Sequence, residues 1–173
     1  MKVLITGVAG TGKTTVGNTL AEDGYQVIDL DSVSDWFDTR TNKFHPRGSK
    51  VVMNMDGYLQ YFQWRINPAK FQAKKSKTKL DKNLFLVGNV DGIEKIATQC
   101  GFIFFLDAPL EVLFNRYDAR DNAYGKKQEE RDAIAKYKDS DKQRMRGLGA
   151  IVVDTNRLTV EETVNMIISC TTQ

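Results

Sequence analysis

Val3-Leu4-Ile5 is a short apolar run that ends in a polar residue and a glycine, and four more segments of the same kind follow it. Residues 2–6, 26–29, 84–87, 102–106 and 150–153 are rich in Val, Ile, Leu and Phe with little polar alternation, the pattern of strands buried on both faces. Helical spacing fills most of the gaps. It covers 14–22, ending near Gly24; 93–100; 110–117, started by Pro109; the polar stretches 128–138 and 141–146; and 159–169, with Thr159 as N-cap and Glu161-Glu162 in the first turn. Strands alternating with helices predict an α/β fold in which helices wrap a parallel sheet. Two segments break the rhythm. Residues 32–82 form a long insertion between the second and third strands, and within it 55–66 has a helix-like aromatic pattern (Tyr58, Tyr61, Phe62, Trp64). Residues 118–147 are charged and interrupted at Gly125.

Between the first strand and the first helix stands Gly7-Val8-Ala9-Gly10-Thr11-Gly12-Lys13-Thr14, which fits G-x-x-x-x-G-K-[ST], the phosphate-binding P-loop, in the strand-to-helix context the motif requires. Gly7, Gly10 and Gly12 let the backbone curl with its N–H groups inward, and the helix N-terminus adds positive dipole where phosphates would sit. Gly7, Ala9, Gly10, Thr11, Gly12, Lys13, Thr14 and Thr15 are therefore candidate contacts for a nucleoside triphosphate. Lys13 would bridge its β- and γ-phosphates, and the Thr14 hydroxyl would bind Mg²⁺. A dinucleotide-binding turn is the rival, with Asp29 placed as a ribose-binding acid. Its G-x-G-x-x-G spacing does not match, and it has no use for Lys13-Thr14.

Composition narrows the setting. A length of 173 residues suits a single domain, 1–173, with a full core. No apolar run approaches the roughly 20 residues of a membrane span, and the first strand leaves no room for a cleavable signal peptide. Cys100 and Cys170 are far apart and belong to no CxxC pair, so they read as buried or free thiols in a reducing cytosol, and a cytoplasmic location is expected. His45 is the only histidine, which argues against a histidine zinc site or a Ser-His-Asp triad. The net charge of +3 hides an asymmetry: residues 40–82 hold eleven basic side chains against two acidic ones, while the remainder is net acidic. A basic segment beside a triphosphate site favours an anionic acceptor, although the lysine run at 74–79 reads equally as a solvated loop.

The pattern as a whole resembles the P-loop kinase group that contains adenylate, other nucleoside monophosphate and shikimate kinases. The resemblance covers nearly the whole chain and is poor in residues 40–82. It implies a three-layer fold with a five-stranded parallel sheet ordered 2-3-1-4-5, an acceptor-binding insertion at 32–82, a lid-like segment at 118–147, and ATP and Mg²⁺ as cofactors. Asp29-Leu30-Asp31 is similar to the Asp-x-Asp of shikimate kinases. Carboxylates two apart in an extended segment diverge, so both can line a cleft at the sheet edge. By resemblance, Asp29 supports Mg²⁺ and Asp31 meets the acceptor, where it would accept or orient a hydroxyl proton. An Asp-rich helix cap for 32–38 is the alternative.

Residues 84–89 resemble the third strand of these kinases, which ends in glycine near the phosphates and makes Gly88 a substrate-side candidate. Asp107 ends an apolar strand as a Walker B acid would, but its surroundings resemble the junction after strand four. The Mg²⁺ carboxylate thus stays open among Asp29, Asp31 and Asp91. Arg116 and Arg120 match the family's Arg-x-x-x-Arg, which implies Arg116 on the adenine and Arg120 on the phosphates, tasks suited to a flat, forked cation. A solvated pair bridged to Glu111, Asp118 or Asp121 is the alternative. Residues 121–131 resemble a lid, with Lys126 or Arg131 as a second cation. Asn156 and Arg157 fall in the loop that cradles adenine. Arg40, Arg47 and Arg65 are candidates for anion contacts, and Trp36, Tyr58, Tyr61 and Trp64 either stack on a base or pack a core.

The expected activity is transfer of the γ-phosphoryl group of Mg-ATP to a small acceptor, with Lys13, Arg120 and Asp31 catalytic. A nucleoside monophosphate comes first as acceptor; a nucleoside or shikimate-like hydroxyl compound comes second. Two other classes are a nucleic-acid end kinase, or RNA-associated ATPase, using the lysine run and an ATP-binding regulatory module.

Overall fold

A computed structural model describes residues 1–79, 82–119 and 125–171. Its elements in chain order are β1 (Lys2–Thr6), α1 (Lys13–Glu22), β2 (Gln26–Asp29), β3 (Ser34–Asp38), β4 (Lys43–His45), α2 (Lys50–Met53), β5 (Phe62–Ile66), α3 (Pro68–Lys75), β6 (Leu84–Val87), α4 (Glu94–Ala97), β7 (Phe102–Asp107), α5 (Leu110–Asp118), α6 (Gln128–Gly147), β8 (Ile151–Asp154) and α7 (Val160–Thr171). Short 3-10 turns span Leu30–Val33 and Tyr58–Gln60.

Five strands pair in parallel in the order β2-β6-β1-β7-β8, which is 2-3-1-4-5 counted along the sheet. Register follows the side-chain alternation of β1. Leu4 faces a core with Leu86, Ile103, Phe105 and Ile93, closed by Met145 of α6. Val3 and Ile5 face the opposite core with Phe85, Phe104, Val16 and Leu20 of α1, and Val164 and Ile167 of α7. Burial on both faces explains the unbroken apolar strands in the sequence. Helix α7 begins with a reciprocal cap: Glu162 N–H donates to Thr159 Oγ1 at 3.2 Å, and Thr159 N–H donates to Glu162 Oε2 at 2.8 Å.

The insertion differs from its sequence reading. The stretch read as helix-like at 55–66 is a 3-10 turn followed by strand β5, and in place of a helix over 32–38 a short 3-10 turn, capped by the Asp29 side chain, leads into β3. Strands β4-β3-β5 form a second, antiparallel sheet. Period-two alternation decides the matter: Trp36 pairs directly with Trp64, and Phe37 with Gln63, so Trp36, Phe62 and Trp64 share one apolar cluster while Phe37 packs on Phe44. Asp35 and Asp38 are buried in this sheet, each answered by a cation, Lys70 at 2.7 Å and Arg40 at 3.0 Å. The polar stretches 128–138 and 141–146 are one continuous helix, α6, while α4 is shorter than the spacing at 93–100 suggested. Among the described residues, no helix is long and apolar enough to cross a membrane.

Candidate active site

The loop between β1 and α1 is fixed by glycines that no other residue could replace without strain. Gly7 has φ +142°, and a Cβ there would lie 2.2 Å from the Leu106 carbonyl oxygen. Gly10 has φ +79°, and its Cβ would lie 2.6 Å from the Tyr117 ring. Thr11 Oγ1 donates to Val8 O at 2.8 Å, and Lys13 Nζ donates to the same carbonyl at 2.9 Å, which folds the loop over itself. Helix α1 starts on Gly12 with no side-chain cap, so its first amides face a potential anion site without an internal acceptor from a cap.

Beside this loop, at the C-terminal edge of the parallel sheet, lies a cavity of about 1450 Å³. Its donor end includes the loop from Val8 to Thr15, Arg116, Thr155 and Leu158. Arg116 Nη1 donates to Gly10 O at 3.1 Å and to Thr155 Oγ1 at 3.2 Å, and Nη2 donates to Thr155 O at 2.8 Å. The guanidinium thereby ties the P-loop to the loop after β8. Tyr117 OH supports the same region by donating to Ala9 O at 2.6 Å. In the loop after β8, Thr155 and Leu158 reach the cavity wall, whereas Asn156 and Arg157 are not among the lining residues; Arg157 is exposed and sits 3.4 Å from Asp154. Arg120 and residues 121–124 of the lid-like segment lie outside the described residues. The two candidate lid cations, Lys126 and Arg131, are not among the lining residues. Lys126 Nζ donates to Tyr117 O at 2.7 Å, and Arg131 pairs with Asp118 and donates to Gly125 O at 2.9 Å.

Asp29, Asp31 and Asp91 all line the cavity, as does Thr14. Burial first, then the neighbouring Asp31 charge, pushes the Asp29 carboxyl above its usual range, although Asp31 N–H donates to it at 2.9 Å. Asp31 Oδ1 accepts from Trp64 Nε1 at 2.9 Å. Burial likewise raises Asp91, whose Oδ2 accepts from Trp64 N–H at 2.7 Å while its own N–H donates to Trp64 O at 2.8 Å. One tryptophan, treated in the sequence as a stacking or core residue, thus joins three segments of the wall. Among the described residues no group of three His, Cys, Asp or Glu side chains could cage a metal ion. The hard oxygens of Thr14 and Asp29 suit Mg²⁺, which takes one or two protein ligands and completes its shell with phosphate and water. Asp107 is engaged elsewhere: against the cost of its burial, Lys138 at 2.8 Å and Lys142 at 3.0 Å hold its carboxyl below the usual range.

Of the arginines expected to meet an anionic acceptor, Arg47 lines the cavity, 5.7 Å from the Trp64 ring. Arg40 is bound to Asp38 through two hydrogen bonds of 3.0 Å and lies over Tyr61, and Arg65 lies over Phe37; neither is among the lining residues. Gly88 is also absent from the wall, its N–H donating to Ile5 O at 3.0 Å. Trp36, Tyr58 and Trp64 both pack together and line the cavity, whereas Tyr61 does not line it. Sequence reasoning missed α6 as a wall. Ile134, Tyr137, Asp141 and Arg144 line the cavity at helical spacing, a signal present in the sequence but hidden by its polarity. Arg144 bridges Glu94 at 2.7 Å and Asp141 at 2.9 Å.

A protein-family model described as an AAA domain, AAA_18, matches residues 3–136. No curated protein matches the chain. Solved structures share its fold over almost its full length. A shikimate kinase from Acinetobacter baumannii in complex with shikimate is 17% identical, with 98% of this chain and 92% of that chain covered and a TM-score of 0.60. Deoxyadenosine kinase from M. mycoides with bound dATP is 14% identical, with both chains covered at 100% and a TM-score of 0.58. A gluconokinase from Sinorhizobium meliloti 1021 is 16% identical, with 97% and 89% covered and a TM-score of 0.57.

Proposed function

The chain belongs to the AAA_18 family of AAA domains and has the fold of the P-loop kinase group, and on that premise we propose that it is an ATP-dependent kinase of a small acceptor. The observation that carries the proposal is the opening of Lys13, Thr14 and the uncapped α1 N-terminus onto one cavity with Asp29 and Asp31. In this reading residues 1–173 are one kinase domain, 32–82 bind the acceptor, and 118–147 carry the lid. The site accords with a cytoplasmic enzyme, where ATP is abundant.

Loop amides from Gly7 to Thr15 and the Lys13 ammonium bind and orient the phosphates, and Arg120 supplies a further cation to the γ-phosphoryl group. Arg116, Thr155 and Leu158 border the adenine, while Asn156 and Arg157, which the resemblance placed there, stand outside the cavity wall. Thr14 and Asp29 would hold Mg²⁺, which when bound neutralises charge on the β- and γ-phosphate oxygens. Asp31 orients the acceptor hydroxyl. The acceptor oxygen bonds to Pγ, and the bond from Pγ to the bridging oxygen breaks with its electron pair leaving on ADP. The hydroxyl proton passes to Asp31 and then to solvent. For a nucleoside monophosphate, the acceptor expected from the basic composition of residues 40–82, phosphate oxygen attacks instead and Arg47 contributes its charge. A hydroxyl acceptor is the second reading, supported by the position of Asp31.

An ADP-release assay coupled to NADH oxidation, run over nucleoside monophosphates, nucleosides and small alcohols, tests the proposal. Lys13→Ala is expected to lower kcat by about 100-fold or more. Full activity in that variant, or acceptor-independent ADP release alone in the native protein, would remove the kinase reading.

A further inference from the structure

Resting on the kinase reading above, we infer that the acceptor is a hydroxyl compound without a phosphate or carboxylate, uncharged or bearing an amine, held with a carbon face against the aromatic wall. The basic segment at 40–82 predicted the opposite. Folding redistributes its charge. Arg40 is consumed by Asp38, Lys70 by Asp35, and Arg65 lies over Phe37. None of these three lines the cavity.

What reaches the acceptor side instead is acidic. Asp29, Asp31, Asp91, Glu94 and Asp141 line it, against Arg47 and Arg144. Arg144 is already held between Glu94 at 2.7 Å and Asp141 at 2.9 Å, so its charge is answered within the wall. With Asp29 assigned to the metal, Asp31, Asp91, Glu94 and Asp141 still outnumber Arg47 and Arg144 on this wall, although Arg65, behind it, also acts on Asp91. A phosphate or carboxylate would enter beside this excess of carboxylates in a partly desolvated space, where like charges repel. An amine or hydroxyl supplies the donors those oxygens can accept.

The rest of the wall has the same preference. Trp64 lines the cavity half-buried, with Trp36 beside it and the buried Tyr58 and Phe62 behind, and its ring offers flat apolar surface to a ring or carbon face and a favourable field to an ammonium group. Trp36 is only 8% exposed, and its Nε1–H has no hydrogen-bond acceptor among the described residues. A buried donor without a partner is costly, and a neutral oxygen of the acceptor is a group that could satisfy it.

The test compares acceptors that differ in one charged group: adenosine against AMP, and glucose and glucosamine against glucuronate, each with Mg-ATP and measured as kcat/KM for ADP release. The uncharged or amine-bearing member of a turned-over set is expected to exceed its anionic partner by at least about 10-fold. Asp141→Asn, which removes one wall carboxylate and leaves Arg144 to Glu94 alone, is expected to narrow that gap several-fold, with thermal unfolding confirming that the variant folds. Equal or higher kcat/KM for the anionic members would overturn the inference while leaving the kinase reading intact. ADP release with none of the acceptors, from protein that binds ATP, would overturn both.

Discussion

The donor end of the cavity comes from one short stretch, Gly7 to Thr15, whereas the acceptor wall draws on Asp31, Trp36, Arg47, Trp64, Asp91 and Asp141. At the donor end the working groups are largely backbone amides, and their direction follows from a strand, a glycine turn and a helix start. At the acceptor end they are side chains brought together by an antiparallel sheet, two post-strand loops and α6. Motif spacing therefore reveals the first end. The chemistry of the second depends on which charges the fold pairs internally and which it leaves facing the cavity.

The contrast can be tested hardest at the P-loop. Besides the loss expected for Lys13→Ala, Gly10→Ala combines a left-handed backbone, a cost of about 1–2 kcal/mol, with a Cβ placed 2.6 Å from the Tyr117 ring. ATP affinity measured by calorimetry should fall by about 10-fold or more from the backbone term together with the displaced ring. An unaltered affinity would show that loop curvature does not set the donor site.

A smaller effect is expected across the cavity. Trp64→Phe keeps a ring and both backbone hydrogen bonds to Asp91 but removes the indole donor to Asp31. Loss of one such bond to a charged group is worth about 1.5 kcal/mol, so the acceptor KM should rise roughly 10-fold with little change in the KM for ATP. Equal changes in both constants would deny that the two ends are separately built.

Stability in acid offers a third comparison. The fold lowers the Asp107 pKa, so the pairing with Lys138 and Lys142 contributes fully above the ordinary aspartate value of about 3.9 and is lost as pH falls through the depressed value. Native protein should melt higher than Asp107→Asn at pH 6, and the difference should shrink below about pH 4. A constant difference across that range would assign Asp107 a packing role. The smallest effect belongs to Arg40→Ala. Because Arg40 is spent on Asp38 away from the cavity, kcat/KM should stay within about twofold, the scale of an exposed ion pair. A large loss would return Arg40 to the acceptor site.

Much of the frame was legible. The five apolar runs became the parallel strands, and Pro109 and Thr159 stand at helix starts as their chemistry requires. The largest misreadings fall in the insertion. Aromatic residues at 58, 61, 62 and 64 match a helix as readily as a turn followed by a strand, and the pairing of Trp36 with Trp64 that decides between them joins residues far apart in sequence. The basic count at 40–82 was correct as composition but did not show which charges stay free, because Asp35 and Asp38, just upstream of the counted segment, pair with Lys70 and Arg40.

Local sequence determined the parallel sheet, the strand–loop–helix unit at residues 2–22 and the phosphate-binding character of its loop, since each depends on neighbouring residues and on backbone geometry. Tertiary structure alone decided that Trp64 joins Asp31 to Asp91, that α6 closes the cavity with Asp141 and Arg144, and that carboxylates outnumber the guanidiniums on the acceptor side. The physical reason is that a charge acts through its neighbours in space, and pairing across elements, which no local pattern encodes, fixes those neighbours.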